Sequence, residues 1–228
     1  MILLVAAAVA AATPVASAAP AAACPDLVTA EAFVCRALDA QEAGDPAAAA
    51  TAFEQAAQAS SAKDPATARM WAAAGNLWIA ANQPGRAAIA LDRALALPGL
   101  EAEQHGEALL DRARAAEAQN DLKTARAKVT QAAATISGDP FYWYFSAALY
   151  VREGDAAGAQ MAIGRALSLA PSDPSILFEA GHVAHFAGDE AKARDYWTRA
   201  MQADAKGPIG QAARDALALL PVPLTVKN

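Results

Sequence analysis

The sequence of 228 residues is short of aromatic side chains, of charged side chains and of residues that favour β-strands. Aromatic residues make up 6% of the chain and charged residues 18%, whereas hydrophobic residues make up 55%, a balance that excludes an intrinsically disordered tail. Alanine, the strongest helix former, is the most frequent residue. Because strand formers are scarce, a sheet-based fold is not expected, and the composition predicts an all-α protein.

Positive charge is also scarce. The chain has 18 Lys and Arg against 24 Asp and Glu, a net charge of −6, and contains no basic run. Proteins that bind nucleic acids neutralise phosphates with basic patches, so no nucleic-acid partner is expected. The GxSxG, HExxH, phosphate-loop and GxGxxG motifs of common catalytic and nucleotide sites are absent. We therefore expect a non-enzymatic protein without a cofactor.

The first residues of the chain lack charge and form an apolar stretch. Residues 2–12 are uncharged and are followed by Ala16-Ser17-Ala18, the small-x-small pattern of a cleavage site. The pattern predicts a signal peptide over 1–18 and a periplasmic or secreted protein. A basic n-region is missing, so the true start lies upstream or the signal is atypical. A membrane span is disfavoured, because it needs about 20 apolar residues and polar residues interrupt this stretch.

The chain has two cysteines, Cys24 and Cys35. In an oxidising compartment we expect them to form a disulfide that pins an extended segment, 19–29, to the first helix and stabilises the fold by about 2–3 kcal/mol. Two alternatives stay open. Residues 21–24 faintly resemble a lipobox, in which Cys24 would carry a lipid anchor, and a cytosolic chain would keep both thiols reduced. The cysteines form no CxxC pair, which disfavours a zinc or redox role.

Turn-forming residue pairs recur along the chain. Asn120-Asp121, Gly154-Asp155 and Gly188-Asp189 are spaced 34 residues apart, and Gly44-Asp45 and Asn82-Gln83 occupy the same place in earlier units. Gly or Asn tolerates the positive φ that ends one helix, and the following Asp can cap the next helix. Each unit is therefore predicted to be a pair of antiparallel helices. The units are 30–63, 68–101, 106–139, 140–173 and 174–207, with four extra residues after each of the first two.

Other positions agree once the units are aligned. In the first half of each unit a bulky residue precedes a small one by four places: Phe33 and Ala37, Trp71 and Gly75, Leu109 and Ala113, Trp143 and Ala147, Leu177 and Gly181. In the second half an alanine, a bulky residue and another alanine recur: Ala49, Phe53 and Ala56; Ala87, Leu91 and Ala94; Ala125, Val129 and Ala132; Ala159, Ile163 and Ala166; Ala193, Trp197 and Ala200. Small residues allow close helix approach, and large ones fill the space toward the next unit.

This joint pattern resembles the tetratricopeptide-repeat family, most closely in 140–173. Most units lack the family's terminal Pro, and Arg112 stands where the family prefers Leu. The resemblance implies a right-handed α-solenoid of antiparallel helix pairs with a continuous core. Residues 208–220, which begin with a proline suited to a first helical turn, predict a C-terminal capping helix, and 221–228 a tail.

The resemblance also implies where a ligand binds. In the family, the second, fifth, ninth and twelfth positions of each first helix line a concave groove. Here they are Glu31, Val34, Leu38, Gln41, Arg69, Ala72, Asn76, Ile79, Glu107, Leu110, Arg114, Glu117, Phe141, Tyr144, Ala148, Val151, Ser175, Phe178, His182 and His185. The predicted partner contacts among them are Asn76, Arg114, Phe141, Tyr144, Phe178, His182 and His185. Amide, guanidinium and aromatic groups suit recognition of a peptide or protein.

Several alternatives stand beside this site. The aromatic residues of 141–145 could pack between units, and Trp143 is predicted to be core. His182 and His185 with Glu179 have a spacing that can bind a metal, but no further ligand is apparent, so no metal is predicted. Val34 and Leu38 replace the polar residues of the family's carboxylate clamp, so that binding mode is not expected.

The sequence as a whole predicts an interaction scaffold that binds a peptide or protein partner in the bacterial cell envelope. The alternatives are a lipid-anchored structural scaffold that uses its convex face or helix ends, and a cytosolic scaffold if the leader is not cleaved.

Overall fold

A computed structural model describes residues 24–221, and the predicted signal peptide and all of the predicted tail except Pro221 lie outside this range. The described residues form eleven α-helices and no strand. The helices are α1 Ala30–Glu42, α2 Pro46–Ala59, α3 Pro65–Ala80, α4 Pro84–Ala96, α5 Ala102–Ala118, α6 Leu122–Ile136, α7 Pro140–Glu153, α8 Ala156–Leu169, α9 Pro174–Phe186, α10 Glu190–Ala203 and α11 Pro208–Leu219. Helices that pack together are one or two places apart in this order. The predicted all-α architecture is confirmed.

In each unit the first helix is followed by a residue with positive φ, and the second helix, except α4, begins at a capping aspartate. The side chains of Asp45, Asp121, Asp155 and Asp189, the aspartates of the predicted turns, accept hydrogen bonds from backbone N–H groups of the following helix. The preceding turn residues have φ of 71° at Gly44, 54° at Asn82, 61° at Asn120, 79° at Gly154 and 79° at Gly188. The local chemistry expected at these turns is therefore present.

The four-residue additions after the first two units lengthen helices instead of forming loops. Asp64 caps α3, and the residues after it form the first turn of a helix of 16 residues. Residues 102–105 form the first turn of α5, which has 17 residues. The helix starts early because the side chains of Glu101 and Gln104 form a capping box.

The core follows the aligned positions. The aligned alanines are 0% exposed in every unit: Ala37, Ala49, Ala56, Ala87, Ala94, Ala113, Ala125, Ala132, Ala147, Ala159, Ala166, Ala193 and Ala200. A Cβ atom added to Gly75 would lie 2.4 Å from Cγ of Leu91, and one added to Gly181 would lie 2.2 Å from Nε1 of Trp197. Small residues thus bring the helices close together, as expected.

Two tryptophans differ from the sequence interpretation. Trp143, predicted to be core, is only partly buried. Its Nε1 donates a hydrogen bond at 2.7 Å to the carbonyl of Ser137, the residue at the C-terminal end of α6. Trp78, which belongs to no aligned position, is 1% exposed and lies in the core formed by α2, α3 and α4.

The two ends of the described chain are closed differently. At the C-terminal end α11 packs on α10 and α9 and buries Ala213, the role predicted for a capping helix. At the N-terminal end Cys24 and Cys35 are joined by a disulfide, with Cα atoms 5.7 Å apart. None of the helices in residues 24–221 combines the length and the hydropathy that crossing a bilayer requires.

Candidate partner-binding groove

A cleft of about 300 Å³ opens between α3 and α5. Its floor is small and apolar, formed by Ala72, Ala73 and Ala108, and its rim is polar. Across the cleft, Nδ2 of Asn76 donates a hydrogen bond to Oδ2 of Asp111 at 2.8 Å. The remaining rim residues are Arg69, Leu100, Gln104 and Glu107. Asn76, one of the predicted partner contacts, thus lies at this cleft.

A row of contacts leads from this cleft to the aromatic residues of α7. The second carboxylate oxygen of Asp111 accepts a hydrogen bond from Arg114 at 2.8 Å. The guanidinium of Arg114 lies 5.5 Å from the ring centroid of Phe141, and that ring stacks on Tyr144 with centroids 5.2 Å apart. We call Asn76, Asp111, Arg114, Phe141 and Tyr144 the groove row. Four of its members were predicted from the sequence, and Asp111 was missed.

One groove position taken from the family, in the middle of α5, is wrong. Leu110, predicted to face the groove, is 4% exposed and packs in the core beside Leu109. Leu109 and Leu110 both pack in the core, and the next residue, Asp111, accepts the hydrogen bond from Asn76 across the cleft. The groove position therefore belongs to Asp111, which is partly exposed and whose spacing of three residues from Arg114 was the available signal.

The two aromatic rings of the groove row are exposed to different degrees. Phe141 is 40% exposed, so part of its ring is accessible to a ligand. Tyr144 is partly buried against the core of α7 and α8. Burial and the nearby charge of Glu179 raise the pKa of Tyr144, and the charge of Arg114 opposes the rise. The hydroxyl therefore stays protonated at neutral pH and can donate a hydrogen bond.

The remaining predicted contacts lie in a separate group around Trp197. His182 lies 4.4 Å from Phe178 and 5.5 Å from Trp197, measured between ring centroids, and His185 lies 5.9 Å from Trp197. Nε1 of Trp197 donates to the Phe178 carbonyl at 3.0 Å, which fixes the group on α9. Glu179 lies between this group and the groove row.

The two histidines face different carboxylates. Nδ1 of His182 is 3.4 Å from Glu179, and Nδ1 of His185 is 2.9 Å from Glu190. The pair therefore does not share one acidic partner.

The groove side of α5 carries a row of negative charge. Glu103, Glu107 and Asp111 are spaced four residues apart, which places them on one face of the helix. The pKa of Glu107 is raised, first by partial burial and then by the charges of Glu103, Asp111 and Asp139. Arg114 forms an ion pair with Asp111 but not with Glu103 or Glu107, so this part of the groove is acidic.

Substituting Glu107→Gln is expected to stabilise the protein near pH 7 by about 0.4–1 kcal/mol, since each like-charge pair four residues apart costs about 0.2–0.5 kcal/mol. A raised carboxyl pKa in the folded state means that stability falls as pH rises from the usual glutamate pKa through the folded-state value. The gain should therefore vanish at about pH 3.5, below the usual pKa. Urea unfolding at both pH values measures it, and an equal gain at both would show that charge is not the cause.

Comparison with known proteins gives the fold its context. No family model matches the sequence, and no curated protein matches it. Solved structures do match. PilW, a widely conserved type IV pilus biogenesis factor, aligns with a TM-score of 0.66 over 81% of this chain and 82% of its own, at 19% identity. YrrB, a TPR protein with an unusual peptide-binding site, aligns with a TM-score of 0.57 over 82% of this chain and 92% of its own, at 16% identity.

A tetratricopeptide repeat protein from Parabacteroides merdae aligns with a TM-score of 0.64 over 83% of this chain and 71% of its own, at 12% identity. The chain has the tetratricopeptide-repeat fold. The right-handed α-solenoid of antiparallel helix pairs predicted from the aligned positions is thereby confirmed. In the tetratricopeptide-repeat fold of this chain, α3, α5, α7 and α9 are the first helices of successive pairs, and each contacts the next, so the groove row lies along a continuous face.

Proposed function

We propose that this protein is a non-enzymatic scaffold that holds a peptide or protein partner against the groove row. The observation that carries the proposal is the unbroken sequence of contacts from Asn76 through Asp111 and Arg114 to Phe141. The row combines a small-floored cleft at one end with a half-exposed aromatic ring at the other. Such a surface offers hydrogen bonds to a peptide backbone and an apolar contact to a side chain.

The charge of the groove favours one kind of partner. Glu103 and Glu107 lie beside the cleft without a basic side chain in contact among the ion pairs of residues 24–221. Their mutual repulsion weakens the folded chain and is relieved when a positive charge approaches. The groove therefore suits a partner segment that places a Lys or Arg beside the cleft.

The location in the cell is part of the proposal. The apolar leader over 1–18 supports export, and the match to PilW is to a pilus biogenesis factor. A periplasmic scaffold of an envelope assembly fits both observations. N-terminal sequencing and the intact mass of the mature chain test this directly. A start at Ala19 supports export, acylation at Cys24 supports the lipid-anchored alternative, and an uncleaved leader supports the cytosolic one.

Substituting Phe141→Ala is expected to weaken partner binding about tenfold or more, because an aromatic side chain that a partner buries contributes over 1 kcal/mol. Phe186→Ala is the matched control. Phe186 is 41% exposed, almost the same as Phe141, but lies at the end of α9 outside the groove row. Partners are recovered from cell envelopes by mild cross-linking and affinity purification, and binding of the purified partner is then measured.

The expected result is loss of binding in Phe141→Ala and retention in Phe186→Ala, with the circular dichroism of both variants unchanged. Retention in Phe141→Ala together with loss in Phe186→Ala would move the interface away from the groove row. Equal retention in both variants would exclude the aromatic end of the row as the contact.

A further inference from the structure

A second cleft, of about 310 Å³, opens where the end of α6, the first turn of α7 and the second half of α8 meet. We call it the unit-four pocket, and its lining residues are Ser137, Trp143, Met161, Arg165, Ser168 and Leu169. Trp143 lies two residues after Phe141 in α7, which places the two side chains about 200° apart around the helix. The pocket and the groove row therefore lie on different sides of α7.

One wall of the pocket is a stripe of three α8 side chains. Met161, Arg165 and Leu169 are spaced four residues apart, so they follow one another along the same side of the helix. Met161 is 51% exposed and Leu169 is 47% exposed, although both are large apolar side chains. Clustered exposed apolar side chains are typical of interaction surfaces. Here they flank an exposed guanidinium, and the partly exposed indole of Trp143 lines the same pocket.

Arginine stands at the same place in the second, fourth and fifth units, as Arg93, Arg165 and Arg199. Two of the three are used inside the fold. The guanidinium of Arg93 lies 4.5 Å from the ring centroid of Trp71, and Arg199 forms an ion pair with Asp195 at 3.5 Å. Within residues 24–221, Arg165 forms no ion pair and lies over no aromatic ring. Its guanidinium is therefore available to a partner.

The apolar residues of the second and fourth units differ in the same way. Trp71 is 6% exposed, whereas its counterpart Trp143 is only partly buried. Leu97 packs against the core that contains Trp71, whereas its counterpart Leu169 is exposed. The fold thus covers this surface with its own side chains in the second unit and leaves it open in the fourth.

The charge around the unit-four pocket is positive. Neither α6 nor α8 contains an acidic residue, and α6 adds Lys123, Arg126 and Lys128. Of these, Arg126 is paired with Glu153. The acidic residue at the start of α7, Asp139, caps that helix and lines a different cleft. An unpaired guanidinium beside apolar surface favours a carboxylate, which it can bind through two parallel hydrogen bonds.

We propose that the unit-four pocket is a second docking surface, which binds an acidic segment of a partner protein. A carboxylate of the segment pairs with Arg165, and a bulky apolar side chain beside it packs against Trp143, Met161 and Leu169. The apolar contacts exclude water from the ion pair and so strengthen it. Because the groove row suits a basic segment, the scaffold can hold two partner segments of opposite charge on opposite sides of α7.

The test uses the full chain and a displayed library of random peptides of about twelve residues. Peptides retained by the wild-type chain are passed over Arg165→Glu, and those that do not bind the variant are sequenced. We expect an excess of Asp and Glu together with a bulky apolar residue. Selected peptides should bind at least tenfold more weakly to Arg165→Glu and to Met161→Gln, and their binding to the wild type should weaken as salt is added.

The second unit supplies matched controls for both substitutions. Arg93→Glu reverses the same charge at the same place, and Ile89→Gln changes the counterpart of Met161, which is 58% exposed. Both controls should bind the selected peptides like the wild type, with the circular dichroism of all four variants unchanged. Equal losses in Arg93→Glu and Arg165→Glu would show that only net charge matters and would overturn the proposal.

Two other results would also contradict the unit-four pocket. Selected peptides without an excess of acidic residues, or a library that yields no peptide able to distinguish the wild type from Arg165→Glu, would exclude an acidic segment. Dimerisation of the wild-type chain that Arg165→Glu abolishes, measured by sedimentation, would make a second copy the occupant instead. None of these results depends on the groove row, which is tested separately by Phe141→Ala.

Discussion

Substituting Trp78→Ala is expected to lower the free energy of unfolding by about 3–5 kcal/mol. The indole is the largest fully buried side chain in the described residues, and its removal leaves a cavity between α2, α3 and α4. Nε1 of Trp78 donates to Glu54 at 2.8 Å, and the guanidinium of Arg86 lies 3.4 Å from the ring centroid and 3.1 Å from Glu54. The substitution therefore removes the packing of the indole in the core and, at the same time, its contacts with Glu54 and Arg86.

Urea unfolding followed by circular dichroism measures the loss. Trp78→Phe keeps most of the ring volume but removes the donor to Glu54, so we expect a smaller loss of about 1.5–3 kcal/mol. Trp143→Ala is the control for tryptophan removal at a partly exposed position and should cost less than Trp78→Ala. A loss in Trp78→Ala no larger than that in Trp143→Ala would show that the cluster around Trp78 does not dominate the core.

Substituting Gly181→Ala is expected to destabilise the protein by about 1–3 kcal/mol, although alanine is the better helix former. The new methyl group would lie 2.2 Å from Nε1 and 2.3 Å from Cδ1 of Trp197, so α9 and α10 would have to move apart. Trp197 is 3% exposed and has no free volume to retreat into. The hydrogen bond from Trp197 to the Phe178 carbonyl would be strained by the same movement.

Gly164→Ala is the matched control, and we expect the opposite result from it. Gly164 lies inside α8, and a Cβ atom added there meets nothing within 4 Å. The same chemical change should stabilise the protein by about 1 kcal/mol, through helix propensity alone. Thermal and urea unfolding of the two variants should therefore move in opposite directions. Stabilisation by Gly181→Ala would mean that α9 and α10 are not in the close contact described.

The parts of the fold that depend on single residues were predictable from the sequence. The positive φ at Asn82 and Asn120 and the caps at Asp121 and Asp155 follow from local chemistry that acts within one turn. The aligned alanines are buried in every unit because a solenoid repeats the same packing at each step. The burial of Trp78 was not predictable in this way, since it depends on Glu54 and Arg86 in neighbouring helices.

The groove was predictable only in part. Positions carried over from a family mark one face of each helix but not which residue at the edge of that face is buried by the neighbouring helices. In α5 the core packing of Leu109 extends to Leu110. Asp111, the next residue, lies about 100° further round the helix and contacts Asn76 and Arg114 instead. Phe178, His182 and His185 occupy the expected helix, yet they gather around Trp197 because Gly181 leaves room for its ring.

The order in which the helices pack has a kinetic consequence. Because the main helix contacts in residues 24–221 join helices one or two places apart, each contact closes only a short stretch of chain and loses little loop entropy. Chains with such local contacts reach the native state in microseconds to milliseconds. Folding can begin at any well-packed pair of helices and proceed toward both ends of the chain. The amide protons of the terminal helices should exchange with solvent first. A newly synthesised chain can therefore begin to fold before residues distant in sequence come into contact.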